Sequence, residues 1–350
     1  LYQTKAQVQK KMKKLYSFLS ALFLAVLCAG AENPAAPSST LTPGISNGTA
    51  ASTAAAALLE PDGTYIYAEK DGQELYLDIY ESAKGSAKVF DSGKEKPSIL
   101  FIFGGGFKGG QRDHKVYNPW FKAMCENGYR VISIDYRLGM RGKQVKGLIN
   151  QSNAINEALE MAVEDLFSAT CFINDNAAEL GIDPLNIVLC GSSAGAMTAL
   201  RAEYEISNDG ASASVLPQGF NYAGVMSFSG AVLSLNGAIS YKKEPAPTFL
   251  AHGTADKLVT YRKIQLFKRN MSGSDALAKI YAKKGCNYRI YRFEGNGHEI
   301  CNTMLNCLAY ELDFLEWNVS GGQKRVIDAN VNDPSIPKGK STSPRQMYGN

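Results

Sequence analysis

Ile187-Val188-Leu189-Cys190-Gly191-Ser192-Ser193-Ala194-Gly195-Ala196-Met197-Thr198-Ala199-Leu200 is the stretch from which the fold is read. Its first four residues form a short apolar run typical of a buried strand, and the residues from Ala196 onward can begin a helix. Ser193 therefore stands between two glycines on a tight strand-to-helix turn. The pattern G-x-S-x-G has about 0.1 to 0.3 chance matches in a chain of this length, so its weight comes from the strand before it and the helix after it.

Outward from this turn the same alternation recurs. Apolar runs at 98–103, 130–135, 187–190, 223–229, 248–252 and 288–293 read as buried strands. Segments 153–176, 194–206 and 302–319 carry apolar residues at spacings of three and four and read as helices. Residues 65–69 and 73–80 alternate apolar and polar around Lys70-Asp71-Gly72, which predicts a hairpin at the sheet edge. The expected class is α/β: a mostly parallel central sheet, an antiparallel N-terminal hairpin and helices on both faces.

The ends read differently. Lys10, Lys11, Lys13 and Lys14 precede an apolar run over 15–28 and the small residues Ala29, Gly30 and Ala31, the order of a secretory signal peptide cleaved after Ala31. Met12 is the expected start, which makes 1–11 an upstream extension. Acylation at Cys28 is disfavoured because Leu27 stands where a lipoprotein signal places a small residue. The apolar run is shorter than the roughly 20 residues of a membrane span, so the mature chain is expected to be soluble and secreted or periplasmic. Residues 1–31 hold five lysines and no acid, so their removal takes the formal net charge from +4 to −1 and leaves no basic excess for nucleic acid. Residues 32–60, rich in Ala, Ser, Thr and Pro, read as a linker, 61–320 as one catalytic domain, and 321–350 as an extended strap or disordered tail.

Beyond Cys28 six cysteines remain, which in an exported chain permits disulfides without assigning pairs. None has zinc-finger spacing and there are only three histidines, so no metal site is expected. Trp120 and Trp317 fall in predicted helices and are expected as core anchors. The sequence carries no signal for an oligomeric state.

A serine hydroxyl becomes a useful nucleophile only with a base in hydrogen-bond reach and a carboxylate to orient that base. His298 lies in Glu294-Gly295-Asn296-Gly297-His298 after the last predicted strand, and Asp256 lies just past the strand ending at His252. Ser193, Asp256 and His298 are the expected nucleophile, orienting acid and base. His252 is expected to pack and hydrogen-bond at its strand end, and His114, among Arg112, Asp113 and Lys115, to be solvated or to lie at the substrate's edge. Phe103-Gly104-Gly105-Gly106-Phe107 follows a strand, where a glycine-rich loop can aim backbone N–H groups at a developing oxyanion. Gly105, Gly106 and Ala194 are the expected donors. The Lys-Ser/Thr ending of a phosphate loop is missing. Phe107, Ser192, Leu258 and Val259 flank these residues and are expected to line the substrate.

The glycine loop, the Ser193 turn, the Asp256 loop and the terminal His298 resemble an α/β-hydrolase esterase over roughly residues 61–320, in the chain order Ser, Asp, His. The loop 103–107 is similar to that of type-B carboxylesterases, whereas hormone-sensitive-lipase-like esterases carry His where Phe103 stands. The leader, the compact length and Lys108-Gly109-Gly110-Gln111-Arg112-Asp113 look like small exported esterases of Bacteroidetes-type bacteria. That resemblance implies a cofactor-free serine esterase acting through an acyl-enzyme on a small-molecule ester, an acylated oligosaccharide or a polyester. Acetyl or feruloyl groups on plant polysaccharide are the implied acyl esters. An aromatic polyester hydrolase, a peptidase on the same fold and an inactive binding module are the rivals. The presence of all three expected residues stands against the last.

Overall fold

The structure, a computed structural model, describes residues 59–145 and 147–339. The expected leader, nearly all of the expected linker and the end of the tail lie outside the described residues.

The described residues form twelve strands: β1 (Gly63–Lys70), β2 (Gln73–Tyr80), β3 (Ser98–Ile102), β4 (Arg130–Ile134), β5 (Ile187–Ser192), β6 (Gly224–Phe228), β7 (Ala231–Ser234), β8 (Thr248–Gly253), β9 (Lys263–Leu266), β10 (Arg269–Gly273), β11 (Tyr288–Phe293) and β12 (Ile327–Val331). Nine form one sheet in the order β1-β2-β4-β3-β5-β6-β8-β11-β12. β1 and β2 form an antiparallel hairpin, β2 pairs antiparallel with β4, and every pairing from β4 to β12 is parallel. The strands β3, β5, β6 and β8 are buried along their whole length, as a sheet covered on both faces requires. In such sheets functional groups collect beyond the carboxyl ends of the strands, where the order of connection reverses. Here that reversal lies between β4, β3 and β5.

The main helices are α1 (Asn118–Glu126), α2 (Leu148–Asp175), α3 (Ala194–Ser207), α4 (Ser274–Lys284) and α5 (Leu308–Phe314). α2 begins before the predicted 153 because its polar first turns are used in tertiary contacts: Gln151 and Ser152 are buried, and Arg269 donates to Ser152 Oγ and Asn153 Oδ1, both at 2.9 Å. The predicted helix 302–319 is broken up. α5 follows 3-10 turns at His298–Asn302 and Leu305–Cys307 and runs into a π turn at Leu315–Ser320. Trp120 is buried, and its Nε1 donates to buried Glu311 Oε2 at 2.8 Å. Trp317 corrects the expectation of a second anchor: it is 38% exposed in the π turn.

Two features were not read from the sequence. β7, β10 and β9 form a separate three-stranded antiparallel sheet, built from the excursions after β6 and after β8. Within the expected strap, 327–331 adds a ninth strand beside β11. The six cysteines among the described residues are all unbridged, and no helix among the described residues is long and apolar enough to cross a membrane.

Candidate active site

Ser193 joins β5 directly to α3 with φ 51° and ψ −113°, a left-handed conformation that costs a non-glycine residue energy. Neighbouring glycines make the turn sterically feasible. A Cβ on Gly195 would lie 2.0 Å from Ile102 O, and one on Gly191 would lie 2.4 Å from the Gly195 carbonyl. The turn is anchored to β6 by the bond from Ser193 N–H to Phe228 O at 2.9 Å. It holds the hydroxyl at the carboxyl end of the sheet.

There Ser193 Oγ lies 2.8 Å from His298 Nε2, and His298 Nδ1 lies 2.8 Å from Asp256 Oδ2. A carboxylate only accepts, so Nδ1 carries the hydrogen and Nε2 is left to accept from the serine. Asp256 Oδ1 accepts from the backbone N–H of Leu258 at 2.7 Å and of Val259 at 3.1 Å. The loops carrying the acid and the base are stitched together: Ala255 N–H donates to Asn296 O at 2.8 Å and Thr254 N–H to Phe293 O at 3.0 Å. A side chain on Gly253 would strike Gly297 O at 2.2 Å, so this approach also depends on glycine.

His252 is fully buried and touches the same carboxylate. Its Nε2 lies 3.1 Å from Asp256 Oδ2 and 3.2 Å from Val259 O, and its Nδ1 lies 2.8 Å from Ser274 Oγ. Both neighbours of Nε2 are acceptors, so that nitrogen carries the hydrogen and Nδ1 accepts from Ser274. The sequence placed His252 at the strand end but could not show that it shares the oxygen used by His298. His114 is exposed, and its Nδ1 accepts from Val116 N–H.

Electrostatics follow from burial and pairing. Burial alone would raise the Asp256 carboxyl, but His298, with the hydrogen bonds from both imidazoles, holds it below the usual carboxylate range. Burial would lower His298. Asp256 outweighs it, helped by the Cys301 thiol, so the imidazole is raised well above its ordinary value.

The glycine loop lies against the serine. A Cβ on Gly104 would come within 3.3 Å of Ser193 Cβ. Phe103 stacks on Tyr136 at 4.4 Å, Tyr136 OH donates to Phe103 O at 3.0 Å, and Gly104 N–H donates to Tyr117 OH at 3.1 Å. These two tyrosines come from separate elements, and no local pattern announced them. Gly105, Gly106 and Phe107 all have positive φ, so the chain coils back and Lys108 and Gly109 N–H groups return to Gly105 O. Among the described residues, no protein acceptor is bonded to the N–H groups of Gly105, Gly106 or Ala194.

The expected substrate-lining residues are otherwise employed. Phe107 is fully buried with its ring edge against Tyr136, because its left-handed backbone turns the side chain inward. Ser192 is fully buried and donates to Cys301 O at 2.8 Å. Val259 is buried and holds Asp256 and His252 through its backbone; only Leu258 is partly exposed. Among the described residues no group of His, Cys, Asp and Glu is arranged to hold a metal ion.

The BD-FAE family model matches residues 77–232, from β2 through β7. Among curated proteins, fumonisin B1 esterase of Sphingopyxis macrogoltabida is 28% identical over 122 residues, covering 35% of this chain and 21% of that protein. Acetylcholinesterase of Gallus gallus is 34% identical over 122 residues, again 35% of this chain and 14% of that protein. Lipase 1 of Geotrichum candidum is 28% identical over 171 residues, covering 48% of this chain and 27% of that protein. The matched part thus spans little more than a quarter of these relatives at most. Among solved structures, propionate-bound esterase 2 of Thermogutta terrifontis superposes with a TM-score of 0.52 at 20% identity, covering 75% of this chain and 96% of that one. Its apo form gives 0.50 at 23% identity, covering 74% and 93%. With its strand order and Ser193 turn, the chain has the α/β-hydrolase fold, and over residues 77–232 it is similar to the BD-FAE family.

Proposed function

We propose that the chain is a serine hydrolase of carboxylic esters. The observation that carries this reading is the unbroken run Ser193 Oγ, His298, Asp256 Oδ2, with both contacts at 2.8 Å and the serine on a strained turn beside the glycine loop. His298 Nε2 takes the serine proton as Oγ attacks the ester carbonyl, and Asp256 stabilises the imidazolium. The oxyanion is held by the N–H groups of Gly105, Gly106 and Ala194. His298 returns the proton to the departing alcohol. It then activates water, which attacks the acyl-enzyme and frees the acid and the serine.

The partial matches to an esterase, a cholinesterase and a lipase support the reaction class. Export follows from the leader pattern of residues 1–31, and acetyl or feruloyl esters on plant polysaccharide follow from the likeness around residues 103–113. The test compares short-chain nitrophenyl esters with peptide amides, using the wild type and Ser193→Ala. Ester turnover confined to the wild type is expected. Equal turnover in both proteins removes Ser193 from its role, and amide turnover matching ester turnover makes the chain a peptidase.

A further inference from the structure

The β9–β10 hairpin has no role in the chemistry above, yet it stands beside it. It grows out of the segment after Asp256: Tyr261 presents its ring to His252 at 5.6 Å, and Gly273 N–H closes the base of the hairpin on Arg262 O at 2.8 Å. Arg269 fixes the hairpin to α2 through Ser152 and Asn153. The small sheet is completed by β7, which follows the β6 end that anchors Ser193. The hairpin is thus a fixed feature at the rim of the site.

Its composition is one-sided. Residues 257–274 contain Lys257, Arg262, Lys263, Lys268 and Arg269 and no acid. Arg269 is occupied by α2. Among the described residues, the side chains of exposed Lys257, Arg262, Lys263 and Lys268 make no ion pair or hydrogen bond. Elsewhere cations are commonly paired, as Arg137 is with Asp165 and Arg292 with Asp328. Phe267 at the hairpin tip is 80% exposed and has φ 54°. A large ring held in water on a strained backbone has no packing rationale, and such outliers collect where something binds. β9 is the outer strand of its sheet, and its pattern leaves Lys263 and Gln265 outward with Ile264 buried. Lys263 and Gln265 therefore share one face of β9 about 6.6 Å apart, the repeat of alternate strand residues, and Phe267 follows them at the turn.

We propose that this hairpin binds an acidic polysaccharide and presents its ester groups to Ser193. The lysines and Arg262 pair with uronate carboxylates, Gln265 hydrogen-bonds sugar hydroxyls, and Phe267 stacks on the apolar face of a sugar ring. A lipid surface fits less well, because interfacial binding needs a broad apolar face and this edge offers one ring among cations and an amide. The substrate assignment rests on the ester-hydrolase reading; the binding does not.

The experiment uses wild type, Lys263→Glu/Lys268→Glu, Lys263→Gln/Lys268→Gln and Phe267→Ser, with acetylated polygalacturonate, acetylated xylan and nitrophenyl acetate. For the charge reversal, KM on the acidic polymer should rise about tenfold, with a smaller rise for the glutamine pair, and the wild-type preference should fade with added salt. Nitrophenyl acetate, which carries no uronate or sugar ring for the hairpin to hold, serves as the folding control. In parallel, Ser193→Ala protein should be retarded in gels containing polygalacturonate, and adding the charge reversal should abolish retardation. If the wild type turns over no ester, the hydrolase reading fails while retardation still tests binding. Equal handling of acidic and neutral polymers overturns the proposal, and so does Ser193→Ala protein that binds phosphatidylserine vesicles but not polygalacturonate.

Discussion

Replacing Asp256 by Asn tests the electrostatics of the site most directly. The carboxylate and the imidazolium that forms opposite it are about 4 Å apart centre to centre, which at an effective dielectric of about 20 is worth about 4 kcal/mol. Little of this is screened, since the Asp256 side chain is fully buried and that of His298 is 15% exposed. Losing it from the transition state slows acylation by about a thousandfold. The loss grows toward ten-thousandfold because an amide no longer dictates which ring nitrogen carries the hydrogen. The pH profile moves as well. His298 acts as a base only when neutral, so kcat/KM rises with pH through its pKa, which Asp256 holds above 6.5. In Asp256→Asn, burial acts on the ring against the Cys301 contact alone, and the acid limb should move to lower pH. The assay is kcat/KM for a short-chain nitrophenyl ester across the pH range, corrected for background hydrolysis. An acid limb that stays in place, or a loss smaller than about tenfold, would refute this account of His298 and Asp256.

Further outcomes follow from other contacts. His252→Leu removes a donor from Asp256 Oδ2 and should lower kcat about tenfold, with KM little changed, as expected for one hydrogen bond; His252→Gln, which keeps a donor, should restore most of it, and equal losses in both variants would make the residue merely a packing element. Glu203 is buried with Oε2 unpartnered, and burial raises its carboxyl to about 7. The folded state therefore holds a proton that the unfolded state releases near 4.5, so its stabilising effect, about 3 kcal/mol, is present below that pH and lost as pH rises through about 7. Thermal melts of Glu203→Gln should show a gain over wild type at pH 8 that is absent at pH 4, and parallel melting curves across that range would exclude the effect. Gly195→Ala places its methyl against backbone atoms that cannot move aside, so it should cost about 1–3 kcal/mol in chemical denaturation and most of the ester turnover; wild-type stability would show that the turn relaxes.

Local pattern sufficed for much of the fold, because the central strands are short, predominantly apolar and separated by helices whose apolar stripe has the helical period. The same is true of the hairpin over β1 and β2, whose alternation and Asp71-Gly72 turn are local signals. The small sheet was not legible: β7, β9 and β10 are four or five residues long, and β7 reaches β10 only through pairing across more than thirty residues. β12 carries an alternating pattern but needs the edge of β11 to become a strand.

The candidate site divides in the same way. From the sequence alone came the choice of Ser193, Asp256 and His298, since few residues of the right chemistry stand just past the ends of predicted strands. Tertiary structure alone decided that Asp256 is shared between two imidazoles and that Tyr117 and Tyr136 brace the glycine loop. It also turned Phe107, Ser192 and Val259 inward and set the β9–β10 hairpin at the rim. Chain order and residue type fix which groups can react, whereas the direction of a side chain depends on backbone turns and on neighbours remote in sequence, which only the packed fold supplies.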